Sequence, residues 1–260
     1  MNLSIVIPVF NSSNILNNLI KQIILNIDHE KIKKFEIILV NDNSRDNSWE
    51  IITELAKKNI NIKGISLSEN FGQHSAIFAG LKYSSGDIII TMDDDLQHPP
   101  IYIMEIFNKL GEYDLCYTIY KKRKHLLWKR VISYINNIFS SFLFNKSISI
   151  YLSSFRGFKS AVKEKVIVYE KSIIFLDSLL LKHSKKICSI NVLHEQRFEG
   201  DSNYNIKNLF SLWFDAIENY HFYPLRIGTL ISLLSKFIVK IIRFRKNKKN
   251  IQFKILEKTF

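Results

Sequence analysis

Short apolar runs that end in polar turns recur four times in the first hundred residues. They cover Leu3–Val9, Phe35–Val40, Ile62–Leu67 and Ile88–Met92. Largely apolar runs of this length are typical of strands buried on both faces, and the stretches between them suit helices. Because strands that alternate with helices form parallel sheets, the pattern predicts an α/β fold of Rossmann type, with a mostly parallel sheet flanked by helices.

Polar residues follow each of these runs: Asn11, then Asp42, then Asn70 with Gly72, and finally an acidic triplet. Ligands on open α/β sheets bind just beyond the carboxyl ends of the strands. Such residues also populate ordinary turns, but four strand ends together predict one ligand site. The chain has no G-x-G-x-x-G turn, which disfavours dinucleotide binding.

The acidic triplet Asp93–Asp95 lies within the segment DIIITMDDDLQHPP, Asp87–Pro100. Carboxylates packed this closely repel one another unless a positive charge lies among them. Mg²⁺ or Mn²⁺ supplies that charge, prefers oxygen ligands and also binds phosphates. A solvated turn that caps the next helix is the alternative; the apolar strand before the triplet favours a cation site.

The same segment resembles the D-x-D-L-Q-x-P-P signature of family-two glycosyltransferases. The resemblance is to the branch that contains dolichyl-phosphate mannose synthase and the bacterial undecaprenyl-phosphate glycosyltransferases. It implies a GT-A fold and a UDP- or GDP-linked sugar donor. It also implies that Asp93, Asp95 and Gln97 hold Mg²⁺ or Mn²⁺, with Asp95 catalytic.

Further motifs extend the resemblance along the chain. The first loop, the N/D-D-x-S-x-D segment and the N-x-G loop of the family are matched, and they imply donor-binding roles for Pro8, Asn11, Asp42, Asp46, Asn70 and Gly72. The S-S-F-R segment of the polyprenyl-phosphate branch is matched at Ser153–Arg156, which implies that Arg156 lies at the acceptor.

A late R-x-x-G-x-S-x-Y loop is matched by Arg197, Gly200, Ser202 and Tyr204. An arginine on a glycine-hinged loop is suited to binding a diphosphate through its planar guanidinium. The resemblance to the family's late loop implies that Arg197 binds the donor diphosphate and assists the leaving group, or binds an acceptor phosphate. It also implies that Ser202 and Tyr204 contact the substrate.

Asp177 lies in the helical stretch Ile173–His183 among apolar residues. Apolar surroundings favour the protonated form of a carboxyl group and so raise its pKa. A raised pKa suits a general base. Alternatively, Asp177 faces solvent on an amphipathic helix. A sugar hydroxyl acceptor needs such a base, whereas a lipid phosphate is already an anion and does not.

The chain of 260 residues has a net charge of +13, so acidic partners are expected. The basic run Lys121–Arg130 is either a solvated face or a site for an anion: a lipid phosphate, the donor diphosphate or the membrane surface. It lacks the interleaved aromatic residues of nucleic-acid binders, so no nucleic acid is expected. Cys116 and Cys188 form no metal or disulfide motif.

The carboxyl-terminal part differs from the first 220 residues. Residues 1–220 are predicted to form the GT-A domain, and 221–260 an apolar and basic membrane-associating segment. Its run Ile227–Ile242 is apolar but interrupted by Lys236 and Lys240, which indicates an amphipathic helix on an anionic membrane or, alternatively, a helix packed on the core. No uninterrupted apolar stretch of ~20 residues occurs and the first residues resemble a strand, so a cytoplasmic protein peripheral to the inner face of the membrane is expected.

Together these features predict an inverting, metal-dependent glycosyltransferase with polyprenyl phosphate as acceptor, in bacterial cell-surface glycan synthesis. A sugar hydroxyl of a lipid-linked glycan is the alternative acceptor. A non-catalytic basic module that binds membranes or nucleic acid is the alternative outside the enzymes.

Overall fold

The computed structural model describes residues 1–121, 137–138, 140–141, 146–169, 176–193 and 253–260. The strands are β1 (Leu3–Val9), β2 (Phe35–Asn41), β3 (Ile62–Leu67), β4 (Ile88–Thr91), β5 (Leu115–Lys121), β6 (Arg156–Lys159), β7 (Ile187–Leu193) and β8 (Ile255–Lys258). The helices are α1 (Ser13–Leu25), α2 (Ser48–Lys58), α3 (Gln73–Tyr83), α4 (Ile103–Lys109), α5 (Ser160–Ile167) and α6 (Leu176–His183), and a 3₁₀ turn covers Pro100–Tyr102.

The strands form one sheet in the order β7-β5-β6-β4-β1-β2-β3-β8. Strands β1 to β4 are mutually parallel, and β5 is parallel to β7. The four predicted strands lie within one residue of their predicted ends, because apolar side chains on both faces of each strand fix where it is buried. The predicted mostly parallel α/β fold is confirmed.

Apolar side chains fill a layer on each face of the sheet. One layer packs α1, α2 and α4 against it, and the other packs α3, α5 and α6. Gly80 lets α3 lie close to β1, since a Cβ there would approach a Val6 methyl to 2.4 Å. The two helical layers leave the carboxyl ends of β1 to β4 together at one end of the sheet, where Asp42 and the acidic triplet Asp93–Asp95 lie.

Two strands differ from the sequence prediction. β6 inserts antiparallel between β4 and β5, and β8 pairs antiparallel with β3 at one edge of the sheet. The last residues of the chain therefore belong to the sheet, although the predicted membrane-associating segment includes them. Residues 221–252, and with them the predicted amphipathic helix, lie outside the described residues.

Candidate active site

The carboxyl ends of β1 to β4 bring the predicted donor-binding residues together. The loop after β4 carries Asp93 to Asp95, and it lies against the loop after β1. Asp94 makes this contact: its Oδ2 accepts hydrogen bonds from the Ser12 hydroxyl at 2.5 Å and from the Phe10 N–H at 3.1 Å. Burial raises the pKa of Asp94 to about 6, with Asp93 and Asp95 acting in the same direction. Asp94 thus links the loop after β4 to the loop after β1 by hydrogen bonds. The sequence alone did not predict this role.

Asp93 is held from three sides. Its Oδ1 accepts a hydrogen bond from the Gln73 amide at 2.5 Å, and its Oδ2 accepts one from the Ser154 hydroxyl at 2.7 Å. Its backbone N–H donates to His98 Nδ1 at 2.9 Å. The Asp93 side chain is 26% exposed, so the carboxylate is fixed in orientation and still reachable from solvent.

Asp95 lies at the outer end of the same turn. Its Oδ1 accepts the Gln97 N–H at 3.1 Å, and Leu96 between them has a φ of +59°. Both Asp95 and Gln97 are partly buried. The turn therefore carries the second predicted metal-binding carboxylate two residues after the first, beyond the end of β4.

Among the described residues, no group of three or more His, Cys, Asp and Glu side chains is placed to hold a metal ion. Two carboxylates at a strand end nevertheless fit the preference of Mg²⁺ for one or two protein carboxylates, with substrate phosphates and water completing its shell. Asp93 and Asp95 are thus suited to a cation that a diphosphate also binds.

The loops after β1 and β2 are joined by backbone-to-side-chain hydrogen bonds. The Asn11 side chain accepts the Arg45 N–H at 2.8 Å, and Asp46 accepts the Ser13 N–H at 2.9 Å. Although burial acts in the opposite direction, hydrogen bonds from Ser48 and Ser13 lower the pKa of Asp46, which is held as an anion. Pro8 is buried within β1. Asn11 and Asp46, which are predicted to bind the donor, therefore hold the loops after β1 and β2 together.

Asp42 joins the loop after β3 to the end of β2. Its two carboxylate oxygens accept the backbone N–H groups of Phe71 and Gly72, each at 2.8 Å. Gly72 has a φ of +88°, a conformation that L-residues rarely adopt, and the neighbouring Asn70 is exposed. This pairing places the predicted N-x-G loop beside the strand ends.

Arg156 and Asp177 form an ion pair that is buried between β6 and α6. Arg156 is 1% exposed, and the Tyr117 hydroxyl also donates to Asp177, at 2.8 Å. Burial opposes the charge of Arg156, but the adjacent Asp177 raises the pKa of its guanidinium, so the cation is retained. Asp177 is therefore not solvated. With its carboxylate engaged by two partners, the pair suits a structural role; a base role for Asp177 stays a prediction.

Three predicted site residues, Arg197, Ser202 and Tyr204, lie outside the described residues, as does most of the basic run Lys121–Arg130. The residues that sequence reasoning missed are the partners of the acids: Ser12, Gln73, His98 and Ser154. His98 and Ser154 stand inside the motifs D-x-D-L-Q-x-P-P and S-S-F-R, so their positions within those motifs were the available signal.

The family model of glycosyl transferase family 2 matches residues 4–167. That range holds the described strand ends and the acidic triplet. The chain belongs to glycosyl transferase family 2, and it is a glycosyltransferase, as predicted.

Curated relatives place it more finely. The undecaprenyl-phosphate 4-deoxy-4-formamido-L-arabinose transferase of Edwardsiella ictaluri is 33% identical over 93% of this chain and 76% of its own length. The transferase of the same name from Yersinia enterocolitica is 34% identical over 88% and 70%. The predicted undecaprenyl-phosphate branch is confirmed.

The fold is shared with glucosyl-3-phosphoglycerate synthase of Mycobacterium tuberculosis, crystallised with Mn²⁺, UDP-glucose and phosphoglyceric acid. The TM-score is 0.59 at 18% identity, over 84% of this chain and 79% of that one. This likeness confirms the GT-A fold. Within the part of the chain described here, no helix is both long enough and apolar enough to span a bilayer.

Proposed function

We propose that the chain transfers a sugar from a nucleoside diphosphate sugar to polyprenyl phosphate, with inversion at the sugar carbon and with Mg²⁺ or Mn²⁺. The observation that carries the proposal is the pair Asp93 and Asp95 at the carboxyl end of β4, in a chain whose curated relatives are named for transfer to undecaprenyl phosphate. Cell-surface glycan synthesis is the process in which we place it.

The described residues supply a preorganised donor site. Asp94, Asp42 and Asp46 fix the loops after β1, β2 and β3 against one another. Asp93 and Asp95 would hold the cation, which, when bound, offsets the charge on the departing nucleoside diphosphate. We assign the nucleoside to the loops of Pro8, Asn11, Asp42, Asp46, Asn70 and Gly72, as the family resemblance implies. The donor is UDP- or GDP-linked.

The acceptor assignment also follows from charge. A lipid phosphate attacks as an anion and needs no side-chain base, which agrees with an Asp177 carboxylate committed to Arg156 and Tyr117. We assign Arg197 to the donor diphosphate, and Ser202 and Tyr204 to the substrate, on the family motif alone. Arg156 is assigned to the acceptor side on the family motif alone, since its buried guanidinium is paired with Asp177.

We further propose peripheral attachment at the inner face of the cell membrane. The net charge of +13 favours an anionic surface, and a polyprenyl phosphate acceptor is found at a membrane. Vesicle sedimentation tests this directly: binding to vesicles with anionic lipid should exceed binding to neutral vesicles and should fall with added salt.

The test of function is transfer from a panel of UDP- and GDP-sugars, with and without Mn²⁺ and undecaprenyl phosphate. Product should enter the organic phase only when the lipid phosphate is supplied. Asp95→Ala should lower transfer at least ~100-fold while the protein stays folded, since metal stabilisation of a leaving group is worth several kcal/mol. Glu54→Ala, on the exposed face of α2, is the matched control and should transfer normally.

Two outcomes would contradict the proposal. Full activity in Asp95→Ala would exclude the cation role. Donor turnover that ignores the lipid phosphate would move the acceptor to a sugar hydroxyl, and Asp177 would then be the next residue to test as a base.

A further inference from the structure

The S-S-F-R segment lies directly behind the acidic turn. The Ser154 hydroxyl donates to Asp93 Oδ2 at 2.7 Å, while the Ser154 carbonyl accepts the Thr91 hydroxyl, also at 2.7 Å. Thr91 is the last residue of β4 and Asp93 follows two residues later. Ser154 thus holds both the strand end and the carboxylate that extends from it.

Phe155 supports the same turn through His98. The His98 ring lies nearly parallel to the Phe155 ring, with centroids 5.2 Å apart, and to the Tyr120 ring, with centroids 5.8 Å apart. His98 Nδ1 accepts the Asp93 N–H. The Phe155 carbonyl is in turn held by the Thr118 hydroxyl at 2.8 Å. The segment before β6 therefore holds the Asp93 carboxylate directly, through Ser154, and the Asp93 backbone indirectly, through the stacking of Phe155 on His98.

A carboxylate that binds a metal ion is oriented by its other hydrogen bonds. Asp93 accepts one hydrogen bond on each oxygen, from Gln73 and from Ser154, and His98 Nε2 lies 3.7 Å from Oδ2, beyond hydrogen-bond distance. Since two carboxylate oxygens offer about four lone-pair sites, both contacts leave room for a cation. The 26% exposure of the Asp93 side chain agrees with such an open side.

We propose that Ser154 is a positioning residue for the cation: its hydroxyl sets the orientation in which Asp93 binds Mg²⁺ or Mn²⁺. This inference rests on the proposed function and deepens it, since it assigns Ser154 of the S-S-F-R segment to the orientation of a metal-binding carboxylate. The neighbouring Ser153 differs, because its hydroxyl pairs with Thr118 at 3.0 Å and accepts the Phe155 N–H at 3.2 Å, without contacting Asp93.

This difference provides matched variants. Ser154→Ala removes the hydrogen bond to Asp93, and Ser154→Thr keeps a hydroxyl. Ser153→Ala removes a hydroxyl that braces the S-S-F-R segment itself, through Thr118 and the Phe155 N–H. The readout is the Mn²⁺ dissociation constant, measured by electron paramagnetic resonance of free Mn²⁺ in the presence of UDP and, in parallel, GDP. Thermal unfolding of each variant reports its folding separately.

Ser154→Ala should weaken Mn²⁺ binding by about 10- to 100-fold, the usual effect of removing an outer-shell hydrogen bond. Ser154→Thr should restore most of the affinity, and Ser153→Ala should bind Mn²⁺ like the unaltered protein. At saturating Mn²⁺, Ser154→Ala should recover its kcat. Weakened binding in both alanine variants would show a bracing role only and would overturn the proposal, as would wild-type affinity in Ser154→Ala.

The two proposals fail in distinguishable ways. If the unaltered protein binds no Mn²⁺ with either nucleotide, the cation part of the proposed function falls, and the role of Ser154 falls with it. If the unaltered protein binds Mn²⁺ and Ser154→Ala binds it equally well, only the positioning role is overturned.

Discussion

Asp42 holds Gly72 by a 2.8 Å hydrogen bond, across 30 residues of sequence, in a backbone conformation that suits glycine alone. Gly72 has φ +88° and ψ 160°, and a Cβ there would meet nothing within 4 Å. The requirement for glycine is therefore one of backbone conformation and not of space. The loop at the donor site depends on this pairing.

Gly72→Ala should lower the free energy of unfolding by about 1–3 kcal/mol, because the alanine must occupy a strained φ. Urea denaturation measures the change. Gly111→Ala, where no positive φ is required, is the control and should stay within about 1 kcal/mol of the unaltered protein. Equal losses in the two variants would show that backbone strain at Gly72 is not the cause.

The buried pair of Arg156 and Asp177 should be strongly coupled. Arg156→Met alone or Asp177→Leu alone leaves one charge buried without its partner, at a cost of about 3–5 kcal/mol. The double variant Arg156→Met/Asp177→Leu should lose less than the sum of the two, since no lone charge remains. A double-mutant cycle by chemical denaturation measures the coupling; strictly additive losses would argue against a pair that acts as one unit.

Glu36 should make stability depend on pH. Burial raises its pKa, but hydrogen bonds from Lys63, Ser4 and Ser85 outweigh this and lower the pKa below the usual 4.5. A carboxyl group with a lowered pKa contributes stability that is present above its unfolded pKa and is lost as the pH falls through its folded pKa.

Glu36→Gln should therefore cost about 1–3 kcal/mol at pH 7, and the difference from the unaltered protein should shrink as the pH falls below about 4.5. Urea denaturation between pH 7 and pH 3 measures it. Glu54→Gln, on an exposed pair with Lys58, should change stability by less than about 0.5 kcal/mol at any of these pH values. A pH-independent difference for Glu36→Gln would contradict the assignment.

The β8 strand should stabilise the edge of the sheet. Thr259 exchanges two hydrogen bonds with Gly64, and Glu257 accepts the Trp49 indole N–H at 3.0 Å. Deleting Ile255–Phe260 removes these three bonds and the pairing with β3. We therefore expect a loss of at least about 3 kcal/mol, at about 1 kcal/mol for each of the three, and more aggregation through the uncovered edge of β3.

Thermal unfolding and light scattering measure both effects of the deletion. Leu256→Ala is the control, because Leu256 is 70% exposed on the same strand and its loss should change little. A deletion variant as stable and as monodisperse as the unaltered protein would show that β8 is dispensable.

The local pattern of apolar residues was sufficient to predict β1 to β4, since each is a largely apolar run that is buried on both faces. It was insufficient for β6 and β8. Arg156–Lys159 has no apolar run and is buried because β4 and β5 flank it, and Ile255–Lys258 is a mostly exposed edge strand. Strands of this kind depend on distant partners, which a local window of sequence does not contain.

The site residues likewise divide into those predictable from local sequence and those that depend on distant partners. The placement of Asp42, Asp93 and Asp95 follows from the rule for strand ends, which needs only the order of strands and turns. The hydrogen-bond partners that orient Asp93 are two donors, Gln73 of α3 and Ser154 before β6, and one acceptor, His98. They became apparent only with the tertiary structure. Asp177 shows why sequence neighbours alone are insufficient. Its neighbours in the sequence are apolar, but in the fold its carboxylate contacts Arg156 and Tyr117.

The order of strands also limits how the chain can be shortened. Leu193, the last residue of β7, and Ile255, the first residue of β8, lie at the end of the sheet where the acidic turn lies. However, β7 and β8 are the two outermost strands, on opposite sides of the sheet. Seven strand spacings of ~4.8 Å separate them, roughly 34 Å. A peptide needs about ten extended residues to cover that distance. Engineered deletions between Leu193 and Phe253 must therefore retain at least such a linker, or one border strand will detach.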